Sequence, residues 1–176
     1  IWGYAEPGEN LTIRFGDRVL STKADKDGAW RIELKPLDPS NKPQTLTIQA
    51  GNSKKKTVFK NVLVGDVWVG SGQSNMAGRV ASYTKNDETL ATLVKNAPFP
   101  NIRLLLGGPK PKWSEATPQS VLSFSAIHFA FGERLQRDLD VPVGLIVGAV
   151  GGTPSGYWIP PATFAGSKKC KAVIAE

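Results

Sequence analysis

The sequence predicts a mixed fold: a β-sandwich of the immunoglobulin-like kind over residues 1–62, then the first part of an α/β domain with a parallel sheet over residues 63–176. Three observations predict it. Short runs of alternating apolar and polar residues, separated by turn-forming Gly, Asp and Pro, fill the first third of the chain. From residue 63 the apolar runs become continuous and β-branched, as in strands covered on both faces of a sheet. Between those runs the apolar spacing lengthens to that of helices.

The elements follow in order. Residues 11–15 alternate, turn at Gly16-Asp17-Arg18, and return over residues 19–24. Asp25-Lys26-Asp27-Gly28 carries an Asp-Gly hairpin signal, and residues 29–34 then place Trp30, Ile32 and Leu34 on one face. Pro36, Pro39 and Pro43 bracket a loop, after which residues 45–50 and 57–62 complete the strands. The α/β part opens with Val62, Val64, Val67 and Val69 around Trp68. Asn86-Asp87-Glu88 supplies a helix cap and an acidic first turn, Leu90, Leu93 and Val94 the apolar stripe, and Pro98 and Pro100 the stop. Residues 101–106 form a second strand, followed by a Gly- and Pro-rich loop through Pro118. Phe124, Ile127, Phe131, Leu135 and Leu139 recur at helical spacing over residues 123–139. Residues 142–147 form a third strand, ending in Gly151-Gly152-Thr153. Strand, helix, strand, helix, strand predicts parallel pairing with right-handed crossovers. Three such strands leave sheet edges and faces uncovered, so the reading expects completion by another chain or by sequence absent here. Trp30 and Trp68 are assigned to cores.

Composition excludes several function classes. With one cysteine, Cys170, no internal disulfide forms, and with one histidine a zinc site has almost no ligands; no metal or cofactor is implied. The formal charge of +7 is spread over solvated positions such as Lys54-Lys55-Lys56, Lys168, Lys169 and Lys171, without the interleaved aromatics of a nucleic-acid interface. No run reaches the roughly 20 apolar residues of a membrane span. Residues 1–4 lack the basic and apolar regions of a signal peptide and start in mid-pattern, as though a preceding strand and any leader were gone.

Chemistry concentrates where the first continuous strand ends. Gly70 and Gly72 permit close backbone approaches, and Gln73, Ser74 and Asn75 follow as three hydrogen-bonding side chains. A polar, Gly-hinged turn just past a buried strand is where open α/β sheets place ligands. A serine held there is a candidate nucleophile, although serines in such turns are more often structural caps. The pattern is neither the Gly-x-Ser-x-Gly elbow, because Met76 replaces the second glycine, nor a Walker A loop, which needs Gly-Lys-Ser/Thr.

The run Val64-Gly65-Asp66-Val67-Trp68-Val69-Gly70-Ser71-Gly72-Gln73-Ser74-Asn75-Met76 resembles the nucleophile block of the sialate O-acetylesterase family, carbohydrate esterases of the SGNH-hydrolase type. Phe124-Ser125-Ala126 leading into Phe131-Gly132-Glu133-Arg134-Leu135 is similar to the family's next helix. The stretch from Val141 to Ile146, with Gly151-Gly152-Thr153-Pro154 and Trp158, is similar to its second loop block. The start, with Trp2-Gly3-Tyr4-Ala5-Glu6-Pro7-Gly8, resembles the sandwich that precedes the catalytic domain. Three positions depart from the pattern: Gly70 stands where cysteine is frequent, and Gly156 and Tyr157 replace an acidic and a small residue.

The resemblance implies that Ser74 attacks the acetyl carbonyl of an O-acetylated sugar, most simply sialic acid, and forms an acetyl-enzyme. It implies oxyanion donors at the N–H groups of Ser74 and of Gly151 or Gly152. Gln73, Asn75 and Thr153 would support the site. Trp113 and Trp158, read as loop residues after strands, are candidates to stack on a sugar ring, with packing anchors as the alternative. The Asp-x-x-His block that supplies the base is not in the sequence, so a second chain or missing segment is expected to provide it. His128, between Ile127 and Phe129 on an apolar helix, reads as a packed residue. Arg79 and Arg103 are the cations considered for a sialic acid carboxylate. The resemblance further implies a secreted or periplasmic enzyme. An acetyl xylan esterase of related fold, a non-catalytic carbohydrate-binding module and an inert fragment are the alternatives.

Overall fold

The computed structural model describes residues 1–51, 56–107, 111–169 and 172. Lys54, Lys55, Cys170 and Lys171, read above as surface cations and a lone thiol, lie outside the described residues. The chain divides into two units, Ile1–Asp66 with Gln136–Val143, and Val67–Leu135 with Gly144–Glu176.

The first unit holds β1 (Trp2–Tyr4), β2 (Asn10–Phe15), β3 (Arg18–Lys23), β4 (Ala29–Arg31), β5 (Ser40–Ala50) and β6 (Lys56–Val64). Strands β3-β2-β5-β6 form one antiparallel sheet, and β1 pairs with β4 in a two-stranded ribbon. Alternation along β2 turns Leu11, Ile13 and Phe15 inward. Leu11 and Ile13 share a core cluster with Trp30 of the ribbon and Ala24, and Leu46 and Ile48 pack against it. The turn before β4 is built as its chemistry requires. Asp25 Oδ1 accepts from the N–H groups of Asp27 and Ala29 at 2.8 and 2.9 Å. Gly28 sits at φ +79°, where a Cβ would stand 2.5 Å from the Ala5 carbonyl oxygen. Two expected boundaries move. The strand expected over residues 29–34 ends at Arg31. β5 runs back through Pro43 to Ser40, because irregularities between Ser40 and Leu46 accommodate a residue that cannot donate to a ladder.

The remaining elements are β7 (Asp66–Gly72), α1 (Ser74–Ala77), a 3-10 turn at Val80–Ser82, α2 (Glu88–Asn96), β8 (Phe99–Leu106), β9 (Trp113–Ala116), α3 (Pro118–Ser123), α4 (Ala126–Leu139), β10 (Val143–Ala149), a second 3-10 turn at Ser155–Trp158, and α5 (Pro161–Gly166). The sheet order is β7-β10-β8-β9. The N–H of Asp66, which opens β7, donates to Pro142, and the N–H of Val150, just past β10, donates to Gly72. Start meets start and end meets end, so β7 and β10 are parallel. β9 pairs antiparallel with β8. Ile102, Leu104, Val121, Phe124, Phe129 and Leu145 form the buried interior of this unit.

Three expectations are corrected here. β7 is an edge strand, not one buried on both faces, and Trp68, assigned to a core, is 43% exposed. Among the described residues β10 alone pairs with it, so its apolar run keeps a bare side. The helix expected over residues 123–139 forms as α4 from Ala126, preceded by the separate short helix α3, which ends at Ser123. Thr117 begins α3 with a capping box, and Pro118 stands in its first turn. The face of α4 that is buried carries Ala126, His128, Phe129, Gly132 and Glu133, while Ile127, Phe131 and Leu139 of the expected stripe are exposed. Close packing is the reason. A Cβ on Gly132 would stand 2.4 Å from Leu145 Cδ1, so the helix approaches β10 along its smallest residue.

Candidate active site

β7 ends in Gly72 at φ +131°, a conformation that favours glycine, and the chain turns there into α1. Gln73 is the N-cap of that helix and Ser74 its first residue. Gln73 Oε1 accepts two hydrogen bonds from Ser74: one from its backbone N–H at 2.9 Å and one from its hydroxyl. The Gln73 carbonyl in turn accepts from the Ala77 N–H at 2.8 Å. Gln73, Ser74 and Asn75 are all exposed, so the turn presents its side chains to solvent.

A second loop meets this turn from the end of β10. The Val150 N–H donates to the Gly72 carbonyl at 3.2 Å, clasping the two loops together. A Cβ on Gly151 would lie 4.0 Å from Ser74 Cα, so Gly151 borders the serine directly. Gly152 follows at φ +77°, again a glycine conformation. Thr153 closes the turn by donating its hydroxyl to the Val150 carbonyl at 2.7 Å. Ser74, Gly151, Gly152 and Thr153 thus gather at the C-terminal ends of two adjacent parallel strands, where α/β sheets bind ligands.

The two tryptophans separate. Trp158 ends the 3-10 turn that follows the Gly151-Gly152 loop and is partly exposed. Trp113 lies in strand β9 and not in a loop, paired in register with Leu105. Its ring lies 3.2 Å from where a Gly144 Cβ would stand, over the start of β10, whereas Ser74 stands past the opposite end of that sheet. Neither arginine considered above is brought to Ser74 by a described contact. Arg79 bridges to Ser125. Arg103 donates to the carbonyls of Pro100 and Ile102 near the start of β8, and burial lowers its pKa against the opposing pull of Glu115.

His128 is buried on α4, stacked at 6.0 Å against both Phe124 and Phe131. Its Nε2 lies 3.3 Å from the Trp68 carbonyl. Burial lowers its pKa, offset in part by hydrogen bonds to the backbone of Trp68 and Ile146. The ring is therefore neutral near pH 7 and is held by the strand, a packed position as the sequence indicates. It also lines an open groove of about 400 Å3 beside β7, with Trp68, Gly70, Met76, Ile127 and Phe131. Gly70 is the floor of that groove: a Cβ there would meet Met76 Sδ and His128 Cδ2 at 2.9 Å. Among the described residues, no three His, Cys, Asp or Glu side chains gather as metal ligands would.

Sequence reading missed one feature of the turn, the double acceptance by Gln73. The signal was present, because a glutamine immediately before a helix start can fold back on the first N–H groups left unpaired there.

Comparison with known proteins agrees with this architecture. Residues 64–173 match the family model described as carbohydrate esterase, sialic acid-specific acetylesterase. The chain is 30% identical to human sialate O-acetylesterase over 184 residues, covering 90% of this chain and 34% of the human protein. The Pongo abelii and Rattus norvegicus sialate O-acetylesterases are 29% and 26% identical, again over 90% of the chain. The chain spans about a third of the length of these relatives. In fold, it superposes on a carbohydrate acetylesterase from Xanthomonas citri with a TM-score of 0.84 at 24% identity, covering 96% of this chain and 39% of that one. The mixed sheets and that neighbour fit an SGNH-like fold. On the extent of the family match, this chain belongs to the sialic acid-specific acetylesterases, a family of carbohydrate esterases.

Proposed function

We propose that this chain carries the nucleophile and the oxyanion loops of a serine esterase that removes O-acetyl groups from a carbohydrate, with sialic acid the foremost substrate. The observation that carries the reading is the clasp of the two loops, which sets Gly151 against Ser74 at the ends of parallel strands. Membership of the carbohydrate esterase family and the names of the relatives support the substrate class.

In the proposed reaction, Ser74 Oγ bonds to the acetyl carbon as a base takes its proton. The sugar oxygen leaves with that proton, and water then hydrolyses the acetyl-enzyme by the reverse proton path. The base is a histidine oriented by an aspartate, both supplied from outside this chain, because His128 is committed to Trp68 and its aromatic neighbours. The oxyanion takes hydrogen bonds from the N–H of Ser74 and of Gly151 or Gly152. Losing one such donor costs about 10² to 10³ in rate. Since Gln73 Oε1 occupies the Ser74 N–H and hydroxyl at rest, the Gln73 amide moves aside when substrate enters. Asn75 and Thr153 support the turn, Trp158 flanks the entrance, and Trp113 is a packing residue of the sheet. The first unit is taken as an immunoglobulin-like sandwich, and the enzyme as secreted or periplasmic.

The test is hydrolysis of p-nitrophenyl acetate and of O-acetylated sialic acid by the chain alone and by the chain joined to the remaining two thirds that its relatives have. Turnover by the longer protein should fall by at least about 10³ in Ser74→Ala with the fold intact. Turnover unchanged in Ser74→Ala would move the nucleophile elsewhere.

A further inference from the structure

The helix that carries Ser74 is too short to hold itself. α1 has four residues, closed by a hydrogen bond from the Ala77 N–H to the Gln73 carbonyl. Isolated helices shorter than about 12 residues are marginal in water, so the orientation of Ser74 depends on what its helix packs against. The contacts lead to the junction of α3 and α4. The Ala126 N–H donates to the Gly78 carbonyl at 2.8 Å, and the Val80 N–H donates to the Phe124 carbonyl at 2.9 Å. The chain leaving α1 is thereby bridged to Phe124-Ser125-Ala126, with Arg79 opposite Ser125.

Ser125 is 2% exposed. Its Oγ accepts from the His128 backbone N–H at 3.3 Å, as an N-cap does for the helix that follows it. The hydroxyl proton is left to donate, and it goes to Met76 Sδ at 3.6 Å. Leaving a buried hydroxyl without an acceptor is costly, so the Met76 side chain is drawn to one position. The His128 ring closes the assembly from below. A Cβ on Gly70 would stand 2.9 Å from both Met76 Sδ and His128 Cδ2, so the two side chains meet over that glycine. Residues two apart lie about 200° apart around a helix. Holding Met76 inward therefore turns Ser74 outward, where it is exposed beside Gly151. We propose that Ser125 and Met76 are positioning residues of the nucleophile: the buried hydroxyl fixes Met76, and Met76 fixes the rotation of the helix that presents Ser74. The inference rests on the reading of Ser74 as nucleophile and adds to it two residues that touch no substrate.

The test begins with hydrogen exchange in the 176-residue chain, which needs no turnover. Ser125→Ala should speed exchange of the Ala77 N–H about tenfold and leave the amides of β8 unchanged. Kinetics follow in the chain joined to the remaining two thirds that its relatives have. There Ser125→Ala and Met76→Leu should each lower kcat about tenfold, with KM within about twofold of the wild type. Both act through one contact, so the double variant should be no worse than the weaker single, whereas independent packing losses would multiply to about a hundredfold. Unchanged Ala77 exchange in Ser125→Ala, an acceleration shared equally by β8, an unchanged kcat, or multiplied losses in the double variant each overturn the proposal. Wild-type turnover indifferent to Ser74→Ala would instead remove the nucleophile reading, and the exchange result would still decide whether Ser125 fixes this helix. Should Ser125→Ala fail to fold by circular dichroism, Met76→Leu decides in the same exchange measurement.

Discussion

The two units differ in how much of their apolar surface they cover. In the first, Leu11, Ile13 and Trp30 close a core within one antiparallel sheet and one ribbon. In the second, the strand leading to Ser74 keeps Val67, Trp68 and Val69 exposed, and α4 leaves Ile127 and Phe131 exposed beside them. An antiparallel sheet is stable with one face in water, whereas a parallel sheet is normally covered on both. The first unit therefore keeps a closed core beneath exposed residues such as Trp2, Tyr4 and Phe59, whereas in the second the strand that leads to the serine is itself left bare.

Deep substitutions in each unit break this contrast most severely. Phe129→Ala should destabilise by about 3–5 kcal/mol and Ile13→Ala by about 2–5 kcal/mol in urea titrations, since both side chains are fully buried. Trp68→Ala on the open flank should cost less, about 1–3 kcal/mol, because its ring is 43% exposed and packs edge-on against Phe131, and a loss comparable to that of Phe129→Ala would show the flank to be covered after all. Next comes Gly132→Ala, which drives a methyl group into Leu145 and should cost about 1–3 kcal/mol of thermal or chemical stability. Asp87→Ala removes the side chain that accepts from the Leu90 N–H at the start of α2, a loss of about 1 kcal/mol.

The smallest effect is acid sensitivity at His128. Its folded pKa lies below its unfolded value of about 6.5, so the unfolded chain binds the proton first. Stability contributed by the neutral ring is complete above about pH 6.5 and is lost as pH falls from there through the folded pKa. Melting temperatures measured between pH 7.5 and 5 should fall more steeply for the wild type than for His128→Gln. Parallel slopes would remove His128 from the account.

Much of this was legible because local chemistry decides it. The Asp25–Gly28 turn, the Asp87 cap and the burial of Trp30 each follow from residues within one turn or one strand. The readings that failed depend on what lies across the sheet. A continuous apolar run such as the one around Trp68 announces a need for cover without saying where the cover comes from. Periodicity placed large residues of α4 inward, yet the helix docks along Ala126, Phe129 and Gly132, because closeness to β10 depends on small residues that carry no hydropathy signal. Trp113 was read as a loop residue because β9 is only four residues long and follows a Pro-rich stretch. At the site, the Ser74 turn was readable as a motif. Its approach to Gly151 was not, since it joins positions more than seventy residues apart through the pairing of β7 and β10.

The hydrogen bond from Val150 to Gly72 has a consequence for anyone who would re-engineer this surface. Each loop takes its register from the other, so inserting or deleting a residue in one displaces its neighbour as well. Grafts that exchange both loops as a matched pair should keep the serine in place, whereas swapping either by itself would misalign it without touching a residue of the turn.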